Sequence, residues 1–210
     1  MLFETRIDAA EKLADIVANT ARSFTNYHVV GLARGGVVIA SGIARRLGLP
    51  LSSFLVDDIG EKETRQLFIS PFGDGLLYQP KKSLVIRKNY REFSFPGADE
   101  LFDSVIDRQR KYNGDGINVD THILLCDDGI VSGKTMFAAA HALRRHCNVK
   151  TISVVVPVVP STMYPDDLGV QELIFYRRST LRVPKTVFYA HFDDVPDKEV
   201  CRLVRSAQRV

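Results

Sequence analysis

HILLCDDGIVSGKTM, residues 122–136, changes character twice. Ile123, Leu124, Leu125 and Cys126 form an apolar run suited to a buried strand, and two adjacent acids, Asp127 and Asp128, cut it off. A short turn through Gly129 and Gly133 then leads into Met136–His146, whose apolar spacing predicts a helix. A strand, a tight loop and a helix start leave free backbone N–H groups at the positive end of a helix dipole, which suits an anion and phosphate above all. Ser132 and Thr135 add hydroxyl donors, and Gly133 lets the backbone approach a ligand without a side chain in the way.

The turn fails as a nucleotide P-loop. That motif places four residues between its first Gly and its Gly-Lys-Thr end. Here three residues separate Gly129 from Gly133, and Asp128 stands one step earlier with a charge that repels polyphosphate. Ionised aspartates are pure acceptors, so a pair at a strand tip suits vicinal hydroxyls. Phosphate on the loop and a diol on the acids describe a ribose 5-phosphate.

A second junction of the same kind lies upstream. Tyr27–Leu32 reads as a short buried strand, followed by Ala33-Arg34-Gly35-Gly36 and a helix from Val37 to Leu47 that Gly48 closes. A Gly pair with an Arg between strand and helix makes another anion-binding turn. It is no dinucleotide fingerprint, because Ala33 stands where that motif needs Gly. Both turns follow parallel strands, and α/β sheets bind ligands at that end.

The rest of the chain supplies the frame. Residues 7–17 have amphipathic helical spacing, with Asp8 as the expected cap. Leu51–Val56 reads as a strand, Leu67–Ser70 and Gly75–Tyr78 as a hairpin, and Leu84–Ile86 as a further short strand. Ala98–Tyr112 is amphipathic, with acids at its start and bases at its end as the macrodipole prefers. Thr151–Pro160 is a buried strand ending in prolines. Gln171–Tyr176 and Thr186–Ala190 are expected as later strands, with Arg177, Arg178, Arg182 and Lys185 between them as an exposed basic edge. Pro196 starts a last helix running to Ala207.

Composition narrows the function class. The chain has 210 residues, a formal charge of +3 and ordinary globular composition. That charge weakly favours an anionic substrate, and the absence of interleaved aromatics beside the basic edge argues against nucleic acid. No apolar run reaches the roughly 18 residues of a membrane span. The acidic N-terminal stretch has no signal-peptide core, and Cys126, Cys147 and Cys201 lack metal spacing. The expectation is a cytoplasmic protein with reduced thiols.

The run Ile123–Thr135 resembles the signature of type I phosphoribosyltransferases: an apolar run, two acids, a short spacer, Thr or Ser, Gly, any residue, Thr. The order of elements is similar over most of the chain. The whole looks closest to a bacterial group of phosphoribosyltransferases of unassigned substrate, sharing the Arg-Gly-Gly turn, the Asp-Asp-Gly-Ile core, a strand ending Val-Pro-Val and an aromatic-acidic stretch, here Phe188–Asp197. The resemblance implies one α/β domain over residues 1–210, a doubly wound, mostly parallel sheet flanked by helices, with a flexible hairpin at 57–83 and a small hood at 161–195.

It also implies magnesium-dependent transfer of a phosphoribosyl group from phosphoribosyl pyrophosphate (PRPP) to a nitrogenous base or similar small acceptor. Asp127, Asp128 and Arg34 would be the catalytic set. Val131, Ser132, Gly133, Lys134 and Thr135 would hold the 5-phosphate, and Arg34, Gly35 and Gly36 the pyrophosphate. Lys62 or Arg65 would reach pyrophosphate from a closing lid, Tyr189 and Phe192 would stack on the acceptor, and Asp127, Asp128 and Asp193 are the metal candidates. A homodimer is common in such proteins.

Two departures stand against this. Asp57-Asp58 occupies the place where the group tends to carry Arg-Lys, and Val131 replaces the acid that deprotonates 6-oxopurines in one branch. The alternatives are therefore a PRPP or nucleotide sensor without turnover, and a ribosyl-phosphate hydrolase with Asp127 as base.

Overall fold

A computed structural model describes residues 1–20, 23–61, 65–79, 84–113, 122–181 and 183–207. Five strands, β1 (Tyr27–Leu32), β2 (Leu51–Phe54), β7 (His122–Cys126), β8 (Thr151–Pro160) and β9 (Glu172–Ser179), form one parallel sheet in the order β2-β1-β7-β8-β9. From the middle pair the chain winds outward in opposite directions: β1 returns through α2 (Gly35–Leu47) to β2, and β7 through α4 (Lys134–His146) to β8. The crevice between β1 and β7 is thus a topological switch point, where such sheets bind ligands. The two strands end level, Gly31 pairing with Cys126, so the Arg34 turn and the acid loop meet there.

Strand alternation sorts the core into two faces. Val30, Ile123, Leu125 and Val154 pack with Met136, Ala139 and Leu143 of α4. Val29, Leu124, Cys126 and Val155 pack with Leu13 of α1 (Arg6–Ala18) and Ile39 and Ile43 of α2. Burying each such side chain contributes about 1.5–3 kcal/mol, and covering on both faces is why the β7 run is continuously apolar.

A second, antiparallel sheet runs β3 (Asp57–Glu61), β4 (Arg65–Ile69), β5 (Gly75–Tyr78) and β6 (Val85–Arg87) in that order. The expected hairpin is its centre. Leu67, Ile69 and Leu77 face α3 (Ala98–Asn113) through Ala98 and Leu101, while Phe68 and Leu76 join the core under α4. Both faces of the hairpin are thus packed, and Gln66 and Phe68 form part of the cleft wall. Lys62 lies outside the described residues.

Other expectations need correction. Thr5, not Asp8, caps α1, its hydroxyl accepting the Asp8 N–H. Thr186–Ala190 is no strand: Lys185–Phe188 forms a 3-10 turn, and Tyr189 makes one bridge to Phe3. The β-branched and aromatic residues favour extended structure, but the backbone there satisfies itself locally, Val187 N–H on Pro184 and Tyr189 N–H on Thr186. The basic edge is not one surface either. Arg178 donates to the Met163 carbonyl at 2.8 Å, Lys185 turns into the cleft, and Arg182 lies outside the described residues. The last helix, α5, spans Asp197–Ala207. Cys126, Cys147 and Cys201 are free thiols. No helix among the described residues is long and apolar enough to cross a membrane.

Candidate active site

A cavity of about 640 Å³ opens over the C-terminal end of β7. Asp127 and all of Val131, Ser132, Gly133, Lys134 and Thr135 line it, as the loop reading expects. Gly133, at φ 76°, is the residue before α4, and no side chain caps that helix. The first-turn amides therefore lack side-chain acceptors and point where an anion would sit. The opposite wall is the second sheet. There Gln66 donates to Asp58 at 2.7 Å and accepts from Lys134 at 3.1 Å, while the Lys134 ammonium lies 3.2 Å from the Tyr78 ring centroid. Asp58 thus faces the cavity, whereas Asp57 pairs with Arg108 of α3.

The two acids part company. Asp128 is 2% exposed and is held on one oxygen by Arg6 at 2.7 Å and on the other by Lys185. Asp127 is 18% exposed, and its carboxylate stands 3.7 Å from the same Lys185 ammonium. Burial pushes the Asp127 carboxyl up to about 7, against the pull of Lys185 and with the push of Asp128. Burial works against ionised Asp128 as well, but Lys185 and Arg6 outweigh it and hold that carboxyl below its ordinary value. Burial likewise opposes the Lys185 charge, and the two acids outweigh it, raising its pKa.

The Arg34 turn packs against this cluster from behind. A Cβ at residue 35 would overlap the Asp128 carboxylate, and one at residue 36 would stand 2.6 Å from the Cys126 carbonyl. Gly35 and Gly36 are therefore required by the approach of the acid loop. Arg34 itself is exposed, after a cis Ala33–Arg34 peptide bond. All three residues lie outside the lining of the cavity.

The remaining candidates divide. Phe192 lines the cavity, with the Arg6 guanidinium 3.6 Å from its ring centroid. Tyr189 cannot offer a stacking face: it is buried against Phe3 and Phe192, and its hydroxyl donates to the Asp128 carbonyl at 2.8 Å. Asp193 is exposed, and what it gives the site is its backbone carbonyl, accepting from Arg6 at 2.7 Å. Arg65 belongs to the opposite face of β4 from Gln66, held by the Phe93 carbonyl and 4.8 Å from the Phe95 ring centroid. Sequence reasoning missed Arg6, Gln66 and the site role of Lys185. A charged residue just inside the first turn of α1 and a lysine after a proline carry no motif; only the tertiary fold brings them to the acids.

An uncapped helix start, a cavity-facing carboxylate and a glycine turn meet at one switch point. Residues 4–174 match the phosphoribosyl transferase domain, and the chain belongs to that family. "Putative phosphoribosyl transferase Rv0571c" of Mycobacterium tuberculosis (strain ATCC 25618 / H37Rv) and its counterpart MT0597 in strain CDC 1551 / Oshkosh are 28% identical to it over 216 residues. That alignment takes in 99% of this chain and 47% of theirs, so the chain spans about half the length of these curated relatives. The protein TT1426 from Thermus thermophilus has the same fold, with a TM-score of 0.75 at 24% identity over 98% of this chain and 99% of that one.

Proposed function

We propose that the protein transfers a phosphoribosyl group from PRPP to a small acceptor, releasing pyrophosphate. The observation that carries this reading is that the uncapped start of α4 and the Asp127 carboxylate line one cavity. The amides of Val131–Thr135, with the Ser132 and Thr135 hydroxyls, hold the 5-phosphate. Asp127 accepts from the ribose hydroxyls. Its charge also offsets the positive charge that develops at the anomeric carbon as the bond to pyrophosphate breaks. Asp128 does not reach the diol in this arrangement; it fixes Lys185 and Arg6 and so sets the potential around Asp127. Arg34, exposed beside the acid loop, is the cation that the other junction offers to a leaving pyrophosphate, while Gly35 and Gly36 serve the close approach of the two loops.

A magnesium ion fits as a companion of the ligand. The cavity wall offers Asp58 and Asp127, hard oxygen donors suited to a cation that keeps its waters. Among the described residues no three metal-ligating side chains converge, so the ligand's own oxygens must supply much of the coordination. When bound, the ion would neutralise pyrophosphate charge, with Asp127 contacting it through water.

The test is a thermal-shift titration of the folded protein with PRPP and with ribose 5-phosphate, with and without Mg²⁺, followed by a pyrophosphate-release assay across acceptors. Ligand at 100 times its dissociation constant stabilises by about 2.7 kcal/mol. Acceptor-dependent release supports transfer. Binding without release moves the protein to the sensor reading, and acceptor-independent release to hydrolysis. Absence of binding by either sugar phosphate sinks the assignment.

A further inference from the structure

The cleft has a second chamber of about 550 Å³. It shares Val131, Ser132, Lys134 and Lys185 with the first, so the two meet across the anion loop. Their walls differ in charge. The first chamber carries the Asp58 and Asp127 carboxylates, whereas no carboxylate among the described residues lines the second. Its own wall is apolar and hydroxylic, with Met163, Leu181 and Phe188 beside Ser161, Thr162 and Thr180. Two ammonium groups, Lys134 and Lys185, stand on the seam.

Lys185 is the better placed of the two. Its ammonium has three donors. One goes to Asp128, while Asp127 at 3.7 Å is an ion-pair partner beyond hydrogen-bond reach. Donor capacity remains, the side chain is 33% exposed, and it lines both chambers. In the cluster around it two cations, Arg6 and Lys185, match two acids, so an incoming anion meets no net repulsion. A cationic acceptor would meet ammonium groups with no carboxylate to receive it.

We propose that the second chamber seats the acceptor, that this acceptor is a flat ring bearing a carboxylate, and that Lys185 is the residue that selects it. The apolar wall covers the ring, the hydroxyls receive its polar edges, and the Lys185 ammonium pairs with the carboxylate. This inference rests on the phosphoribosyl-transfer reading, and the experiment separates the two.

Calorimetric titration of the full chain saturated with ribose 5-phosphate would use two matched pairs of probes: orotate against uracil, and nicotinate against nicotinamide. Each pair keeps a related ring and differs at the carboxylate. The expected result is at least one pair in which the carboxylate binds about tenfold tighter or more. Lys185→Met erases that preference and Lys185→Arg retains most of it. Thr162→Glu, at an exposed lining position away from the acid cluster, weakens the carboxylate and spares the neutral ring, which keeps the test valid if Lys185→Met unfolds. Equal binding within both pairs, a preference that survives Lys185→Met, or no binding of any probe while ribose 5-phosphate binds, would each overturn the inference. Failure of ribose 5-phosphate itself to bind folded protein would remove the parent reading, and this one with it.

Discussion

Asp127 and Asp128 are neighbours in the chain and opposites in place. One looks into the cavity and carries a carboxyl pushed toward neutrality; the other is sealed behind it between Arg6 and Lys185 and stays ionised. An identical side chain thus serves two ends, because the chain bends just past the end of β7 and the two carboxylates meet different surroundings. The outer acid is available to a ligand. The inner acid is part of the protein's own electrostatics, and its work is to keep two cations where the outer acid needs them.

The largest effect should come from the inner acid. Asp128→Ala leaves Arg6 and Lys185 without their shared partner in a buried setting, and should cost about 3–5 kcal/mol in urea unfolding. A cost no greater than that of Asp127→Ala would break the distinction. Next is Gly35→Val, whose Cβ would overlap the Asp128 carboxylate. Overpacking of this kind costs about 1–3 kcal/mol, and the same change at Gly48, where a Cβ meets nothing within 4 Å, isolates the strain of its positive φ as a control.

Asp127→Asn sharpens the contrast in the opposite sense. The folded carboxyl titrates above its unfolded value of 3.8, so between about pH 4 and pH 7 the folded protein binds more proton and stability falls as pH rises. The Asn variant should lose that fall and gain on the order of 1 kcal/mol at pH 8, while Asp128, depressed in the folded protein, contributes stability that is lost on acidification. Ribose 5-phosphate should bind more tightly from pH 6 to pH 8 as Asp127 ionises, and Asp127→Asn should flatten that rise. The smallest effect is expected at Gln66→Leu, which releases Lys134 and Asp58 from their bridge. Calorimetry should find ribose 5-phosphate weakened by less than about tenfold, in line with one neutral hydrogen-bond bridge.

The parallel sheet and the acid loop were legible because local chemistry decides them. A continuously apolar strand, a glycine turn and a helix start are written within residues 122–136. The hairpin was legible as strands, but its role was not, since only tertiary packing reveals that α3 and α4 cover its two faces. Thr186–Ala190 was misread for the same reason: its residues favour a strand, yet local turns and one bridge to Phe3 win. Asp57-Asp58 was visible as an anomaly, and the structure resolves it into an ion pair with α3 and a wall carboxylate beside Lys134. Arg6 was silent because no spacing rule links residue 6 to residue 128.

That long reach has a consequence for how the molecule is made. Arg6 touches Asp128 across a separation of 122 residues and the Asp193 carbonyl across 187. Contacts so distant in sequence demand that most of the chain be present and ordered before they form. During synthesis the strands and helices of the β1–β7 crevice are complete well before Lys185 leaves the ribosome. Before Lys185 is in place, Arg6 is the one of these two cations that can reach Asp128. The electrostatics of the crevice therefore close only when residues 6, 128 and 185 are ordered together, so ligand binding should report on long-range order rather than on local strand and helix formation.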